Sequence, residues 1–261
     1  MISKISAVLA FLVVSATALQ AGKVPAYYDA SYASASAVKG KLSKAGFTVL
    51  ATYHPAGKKN LSVFVITNSK LKSMASKKTR GFAAIQRVMV DSSKKTVRAT
   101  NPTYWMKAFM QKKFRAGTAK SVTASLKSAL GKLSGVKDGL SSGDISGFHF
   151  MMGMPYYEDM IDLGKKSGVK SSKKVFEIKL ANGSKLIGVK LPKGVEGFIN
   201  KVGTNKALAL PYTVLIEKGH AYALHARYYL AVSYPLLSMG QFMKISSTPD
   251  AIELQLKKAL K

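Results

Sequence analysis

The chain contains no cysteine. That excludes disulfides, thiolate metal ligands and thiol nucleophiles, and it leaves packing as the source of stability. Acidic residues are scarce as well, 12 Asp and Glu against 41 Lys and Arg. Arginine itself is rare, five residues against 36 lysines. The planar guanidinium fork is the group that reads base edges, so sequence-specific nucleic-acid recognition is not expected. Beyond residue 21 no stretch reaches the ~18 uninterrupted apolar residues of a spanning helix, so the mature form carries no transmembrane span. The chain also lacks a Walker-type phosphate loop, a His-Glu-x-x-His pair and any metal-spaced set of carboxylates. No motif therefore requires an enzyme or a cofactor.

The first 21 residues carry Lys4, an apolar run from Ile5 to Leu12 broken only by Ser6, and small residues from Val13-Val14-Ser15-Ala16 to Ala21. These are the three parts of an export signal, cleaved after Ala18 or Ala21, and they imply a periplasmic or secreted protein. The alternative, a membrane span, needs a longer segment. Residues 22–145 hold 23 basic and 4 acidic residues, and 146–261 hold 17 and 8, a net charge of +28 after the signal. Such a charge attracts anionic lipid, polyanions or small anions, with an affinity that falls as salt rises. Pairs such as Lys77-Lys78 and Lys112-Lys113 read as solvated charge at turns and helix ends.

Periodicity divides the chain. Helical spacing at 33–45 ends at Gly46, and strands follow at 47–53 and 61–67. A short helix fits 70–78, a hairpin 86–90 with 96–100, and helices 104–114 and 119–133, with Pro102 as an opener. Residues 134–147 are rich in Gly and Ser without periodicity and read as a linker. In 148–261 the pattern predicts a strand at 148–154 and a helix at 156–166. A hairpin follows at 174–180 with 185–191 across Asn182-Gly183. A short helix at 194–202, a hairpin at 213–216 with 221–224, and helices at 235–244 and 249–260 complete it. Thr100, Pro102, Met106, Phe109 and Met110 match Ser233, Pro235, Met239, Phe242 and Met243 at a constant offset of 133, which suggests duplication. The expected fold is α+β, two pseudo-repeated units of antiparallel sheet with helices packed on one face, at 22–133 and 148–261, the two packing together.

Lys44-Ala-Gly-Phe-Thr-Val-Leu50, Val63-Phe-Val-Ile-Thr-Asn-Ser-Lys-Leu71 and Val88-Met-Val-Asp91 leading to Thr100-Asn-Pro102 resemble the domain of unknown function 302 family. The likeness covers most of residues 30–110. A fainter one in Leu210-Pro-Tyr-Thr-Val-Leu-Ile-Glu217 and Tyr234-Pro235 makes the second half a divergent copy in a tandem pair. The resemblance implies small α+β domains with an antiparallel sheet backed by helices, and no agreed reaction.

Two clusters stand out chemically. His149, Met151, Met152 and Met154 bring one imidazole and three thioethers into six residues, a soft donor set apt for Cu(I). On a strand, His149 and Met151 face one way and Met152 and Met154 the other, which favours core packing. His220, His225, Arg227 and Tyr229 lie near one hairpin; on a strand His225 and Arg227 share a face and could hold an anionic head group, or they are satisfied surface residues. Glu158, Asp159 and Asp162 fit the first turns of a helix after Pro155. The paired aromatics Tyr27-Tyr28, Tyr104-Trp105, Tyr156-Tyr157 and Tyr228-Tyr229 pack in the core or seat the protein at a lipid interface. The resulting expectation is an exported, basic, non-enzymatic binding or envelope-associated protein with an anionic partner, for instance a small anion held between the repeats. The alternative is a copper-handling protein or an enzyme using His149–Met154 or His220–Arg227.

Overall fold

A computed structural model describes residues 22–261; the export signal expected at 1–21 lies outside them. The first half runs β1 (Lys23–Pro25), β2 (Tyr27–Ala30), α1 (Ala35–Lys44), β3 (Thr48–Tyr53), β4 (Leu61–Thr67), α2 (Ser69–Ala75), β5 (Gln86–Asp91), β6 (Thr96–Thr100), α3 (Pro102–Met110), α4 (Ala116–Leu130), β7 (Ser134–Gly135) and β8 (Gly139–Ser141). The second runs β9 (Ile161–Lys165), β10 (Lys174–Lys179), β11 (Lys185–Val189), α5 (Lys193–Glu196), α6 (Phe198–Val202), β12 (Tyr212–Glu217), β13 (His220–Ala223), α7 (Ala226–Ser233), α8 (Met239–Met243) and α9 (Thr248–Ala259). The protein is thus α+β, with every strand pairing antiparallel.

One sheet has the order β3-β4-β5-β6-β2-β7, the other β10-β11-β12-β13-β9, and β1 pairs with β8. In each large sheet four consecutive strands are neighbours in chain order, and an earlier strand of the same half, β2 or β9, lies beside the last of them. Local chemistry fixes the boundaries. Gly46, at φ +86, takes the left-handed turn that stops α1 and starts β3. The Asn68 side chain accepts from Leu71 N–H and opens α2. Asn101 does the same for Thr103 N–H, with Pro102 in the first turn of α3.

Every residue of β4 is buried, because the sheet is covered on both faces. Phe64 and Ile66 pack with Val38 and Leu42 of α1, Leu71 of α2 and Leu126 of α4. Leu61, Val63 and Val65, with Met89 of β5, join a core shared with Ile178, Leu186 and Leu215 of the second half. The expected helices thus cover one face of the first sheet, and the second half covers the other. At that seam Gly81 approaches so closely that a Cβ would lie 2.3 Å from Leu215 Cδ1. The Tyr104 hydroxyl donates to Val232 O at 2.8 Å and the Tyr228 hydroxyl to Ala108 O at 3.4 Å. Tyr27 donates to Ser233 O at 3.0 Å, and Arg87 to Pro211 O at 3.0 Å.

Several expectations are corrected. Residues 148–154 form no strand, and 156–166 form no helix but turns followed by β9. β9 is required as a partner for β13, which would otherwise be a bare edge. Residues 134–147 are not a free linker, since β7 pairs with β2 and β8 with β1. A helix, α7, occupies 226–233, and the helix expected at 235–244 shrinks to α8. The offset of 133 therefore joins unlike places: Pro102 opens α3 directly after a hairpin, whereas Pro235 follows the end of α7. The paired aromatics are mostly internal. Tyr27, Tyr104, Trp105, Tyr157, Tyr228 and Tyr229 are all buried, and Trp105 sets its ring 5.4 Å from Phe109 and 6.1 Å from Tyr229, tilted edge-on. Such pairs contribute about 0.5–1.5 kcal/mol each beyond their burial.

Candidate functional site: a basic cleft between two helices

A cleft of about 720 Å³ lies between α2 and the start of α4. The Asn68 cap sets the phase of α2, whose Lys70 and Ser73, with Lys77 just past its end, line one wall. The opposite wall arises where α3 stops. Gln111 takes φ +53, a turn through Gln111–Lys113 follows, and α4 begins at Ala116. That break brings Lys113, Arg115 and Thr118 to the cleft, over a floor of Met74 and Met110. Four cations and three hydroxyls (Ser69, Ser73, Thr118) therefore meet in one concavity, and no carboxylate lines it.

Arg115 stands at the N-cap of α4, where Ser, Thr, Asp or Asn would normally accept from the first-turn amides; no side chain caps this helix and its first turn has no acidic residue. The positive end of a 15-residue helix is thus added to four like charges. Lys70 is steadied by a hydrogen bond from Nζ to Ser121 Oγ, and Arg115 by one from Nη1 to Phe114 O at 3.1 Å. Like charges gathered without a counter-charge repel, and an anion in the cleft relieves that repulsion.

A second cleft of about 380 Å³ sits where the halves meet, rimmed by His54, Lys59, Lys190 and Lys193. The Glu196 carboxylate at its base is 2% exposed. It accepts from the Tyr53 hydroxyl, from Ala56 N–H at 2.7 Å and from Leu191 N–H at 3.3 Å. Burial pushes its carboxyl above the ordinary range, against the lowering effect of those donors and of Lys190. Burial likewise raises the Tyr53 phenol, with the Glu196 charge adding to it. Both Glu196 oxygens are committed to the loop at Pro55–Gly57, to Tyr53 or to Leu191, so this group clasps the halves together.

His220, His225, Arg227 and Tyr229, singled out from sequence, are each engaged with local partners. His220 lies on β13 with Nδ1 3.6 Å from the Asp162 carboxylate. His225 is not on a strand: it is the N-cap of α7, and its Nδ1 accepts from Arg227 N–H at 3.2 Å. Burial lowers the His225 pKa, helped by the Arg227 charge, which suits the neutral ring an acceptor needs. Arg227 reaches Asp250 at 3.3 Å, while Tyr229 is buried and donates to Ala209 O at 2.9 Å.

His149 stacks on Tyr156 with centroids 4.3 Å apart. Met154 packs against the core, and Met151 and Met152 point outward. Among the described residues no group of three or more His, Asp or Glu could hold a metal ion, and no helix is long and apolar enough to cross a membrane. Glu158 pairs with Arg80 at 2.6 Å and Asp159 accepts from Tyr156 N–H, so neither serves a helix N-terminus. The cleft residues Lys113, Arg115 and Thr118 had a signal in the sequence, a basic run entering a helix without a capping residue. Compared with known protein families, curated proteins and solved structures, the chain matches none.

Proposed function

We propose that the protein is a non-enzymatic binder of small, multiply charged anions, held in the cleft between α2 and α4. The observation that carries this reading is the convergence of Lys70, Lys77, Lys113 and Arg115 with three hydroxyls and no carboxylate. Lysine ammonium groups act as point charges without planar selectivity, so phosphate esters and polycarboxylates fit better than a shape-read base edge. A volume of about 720 Å³ falls in the range of ordinary small-molecule sites.

An exported protein suits this role, and the composition of residues 1–21 supports a periplasmic or secreted place. We read the two halves as a duplicated unit of the domain of unknown function 302 type. The shared strand order and the paired Tyr104 and Tyr228 bonds across the seam support that reading.

Isothermal titration with inorganic phosphate, pyrophosphate and citrate tests the function. Pyrophosphate should bind more tightly than phosphate, and affinity should fall as sodium chloride rises. The Lys113→Ala/Arg115→Ala variant should lose about tenfold or more, the size of one or two charge-assisted hydrogen bonds. No heat with any of the three anions, or an unchanged affinity in the variant, overturns the proposal.

A further inference from the structure

Eight large apolar side chains are exposed among the described residues, and six of them fall on two segments: Met151, Met152 and Tyr156 on one, Leu236, Met239 and Met243 on the other. The Phe150 and Phe242 rings stack at 5.0 Å and bring these segments together. The support is firm. Ser238 and Gln241 close α8 with a reciprocal capping box, and Phe242 and Leu237 are buried beneath it. Met239 and Met243, four residues apart, share a face of α8. Met152 is 93% exposed and Met243 61%, so the patch ends in protruding side chains.

We propose that this surface docks the protein onto an anionic lipid bilayer. Scattered exposed apolar residues need no explanation, but six of eight gathered on two segments joined by an aromatic stack do. Its electrostatic setting selects the occupant. Residues 145–157 and 234–249 contain no Asp or Glu, and Lys244 follows Met243 while Lys201 reaches over to donate to Lys244 O at 3.1 Å. Nothing in either segment opposes the field of a chain carrying +28 over residues 22–261. A second copy would bring the same excess charge, so self-association through the patch is repulsive. A sheet of lipid phosphates attracts it, and unbranched thioether side chains can enter the acyl boundary behind the head groups. This surface shares no residue with the cleft between α2 and α4.

Co-sedimentation tests it, with vesicles of phosphatidylglycerol and phosphatidylcholine in equal amounts and vesicles of phosphatidylcholine alone. The wild-type protein should pellet with the anionic vesicles. Met152→Asp/Met243→Asp should lower that binding about tenfold or more, and Met152→Leu/Met243→Leu should keep it, because the surface needs apolar bulk. Both positions are solvent-facing, so all variants should melt with the wild type. Lys113→Ala/Arg115→Ala should change vesicle binding by less than about twofold, which separates this surface from the anion cleft. A wild type that stays in the supernatant overturns the inference, as does an aspartate variant that still pellets. A leucine variant that fails like the aspartate one would point to thioether chemistry instead. Lipid-free dimers dissolved by the aspartates would assign the patch to a second copy.

Discussion

The two halves place a cleft at the same point of their chain order and furnish it differently. In the first, α2 follows β4, and its cleft against the start of the half's last long helix, α4, holds about 720 Å³ and four cations. In the second, α5 and α6 follow β11, and the cleft against the start of α9 holds about 230 Å³ between Gly194, Phe198, Ser247 and Ala251. Its one cation, Lys201, is occupied on Lys244 O. At the third helical position Thr118 of α4 answers to Asp250 of α9, a carboxylate paired with Arg227. The second half thus meets its helix dipole with its own acid, whereas the first leaves that demand open to a ligand. One strand order supports either arrangement; the choice lies in a few side chains at helix ends.

The largest expected effect tests what the second half does with the helix that follows β11. α2 shows Lys70 and Ser73 to a cleft; α5 instead turns Glu196 inward against Tyr53 and Ala56 of the first half. Glu196→Ala leaves three donors without an acceptor and should cost about 2–4 kcal/mol in urea unfolding. The pH sign follows from burial. Its folded pKa lies above the unfolded one, so the folded state holds the proton more tightly. Stability from this group is complete below the ordinary carboxylate range and declines as pH rises through it toward the raised value. Glu196→Gln, which cannot ionise, should therefore compare less favourably with the wild type at pH 4 than at pH 7. An equal gap at both pH values would show that Glu196 is not strained by burial, and would weaken the contrast between α2 and α5.

A smaller effect of opposite signs is expected from giving the first cleft the second cleft's acid. Thr118→Asp puts a carboxylate at the third position of α4, as Asp250 stands in α9. Anion affinity should drop about tenfold or more through repulsion and competition for the same cations. Stability should rise by about 0.3–1 kcal/mol as the uncapped helix gains its counter-charge. Titration with pyrophosphate and thermal melting read the two sides. If binding and stability fall together, the helix terminus is not what distinguishes the two clefts.

Much of the frame was legible because it rests on short-range signals. The alternation in 47–53, the apolar run of β4, the Asn182-Gly183 turn with Gly183 at φ +81, and the Pro249 helix start all stand where their residues put them. The failures cluster between 134 and 166 and between 225 and 244. Pro155 and the acids after it imitate a helix start, but pairing with β13 overrides that local preference. His225 and Arg227 fit one face of a continued strand, yet His225 caps a helix, α7, whose tyrosines reach the first half. The cleft was hidden for another reason. Lys70 and Lys113 are 43 residues apart, and a charge count cannot tell solvated lysines from converging ones. The one local clue was Arg115 standing where a capping residue belongs.

The smallest expected effect asks whether the seam treats the halves alike. Tyr104 of α3 and Tyr228 of α7 each stand three residues beyond the N-cap of a helix that follows a hairpin, after Asn101 and His225. Each donates to a carbonyl on the other's helix, four residues beyond the opposing tyrosine, Val232 for Tyr104 and Ala108 for Tyr228. Such reciprocity is what a two-fold relation between the halves requires. The bonds are unequal, 2.8 Å against 3.4 Å, so the two sides of the seam differ as the two clefts do. Tyr104→Phe should cost about 1 kcal/mol and Tyr228→Phe about half of that, because hydrogen bonds weaken with length. If the halves share the seam as one cooperative contact, the double variant should depart from the sum of the singles by about 0.5 kcal/mol or more in urea unfolding. Strict additivity would mean that the two bonds act separately, each serving its own half.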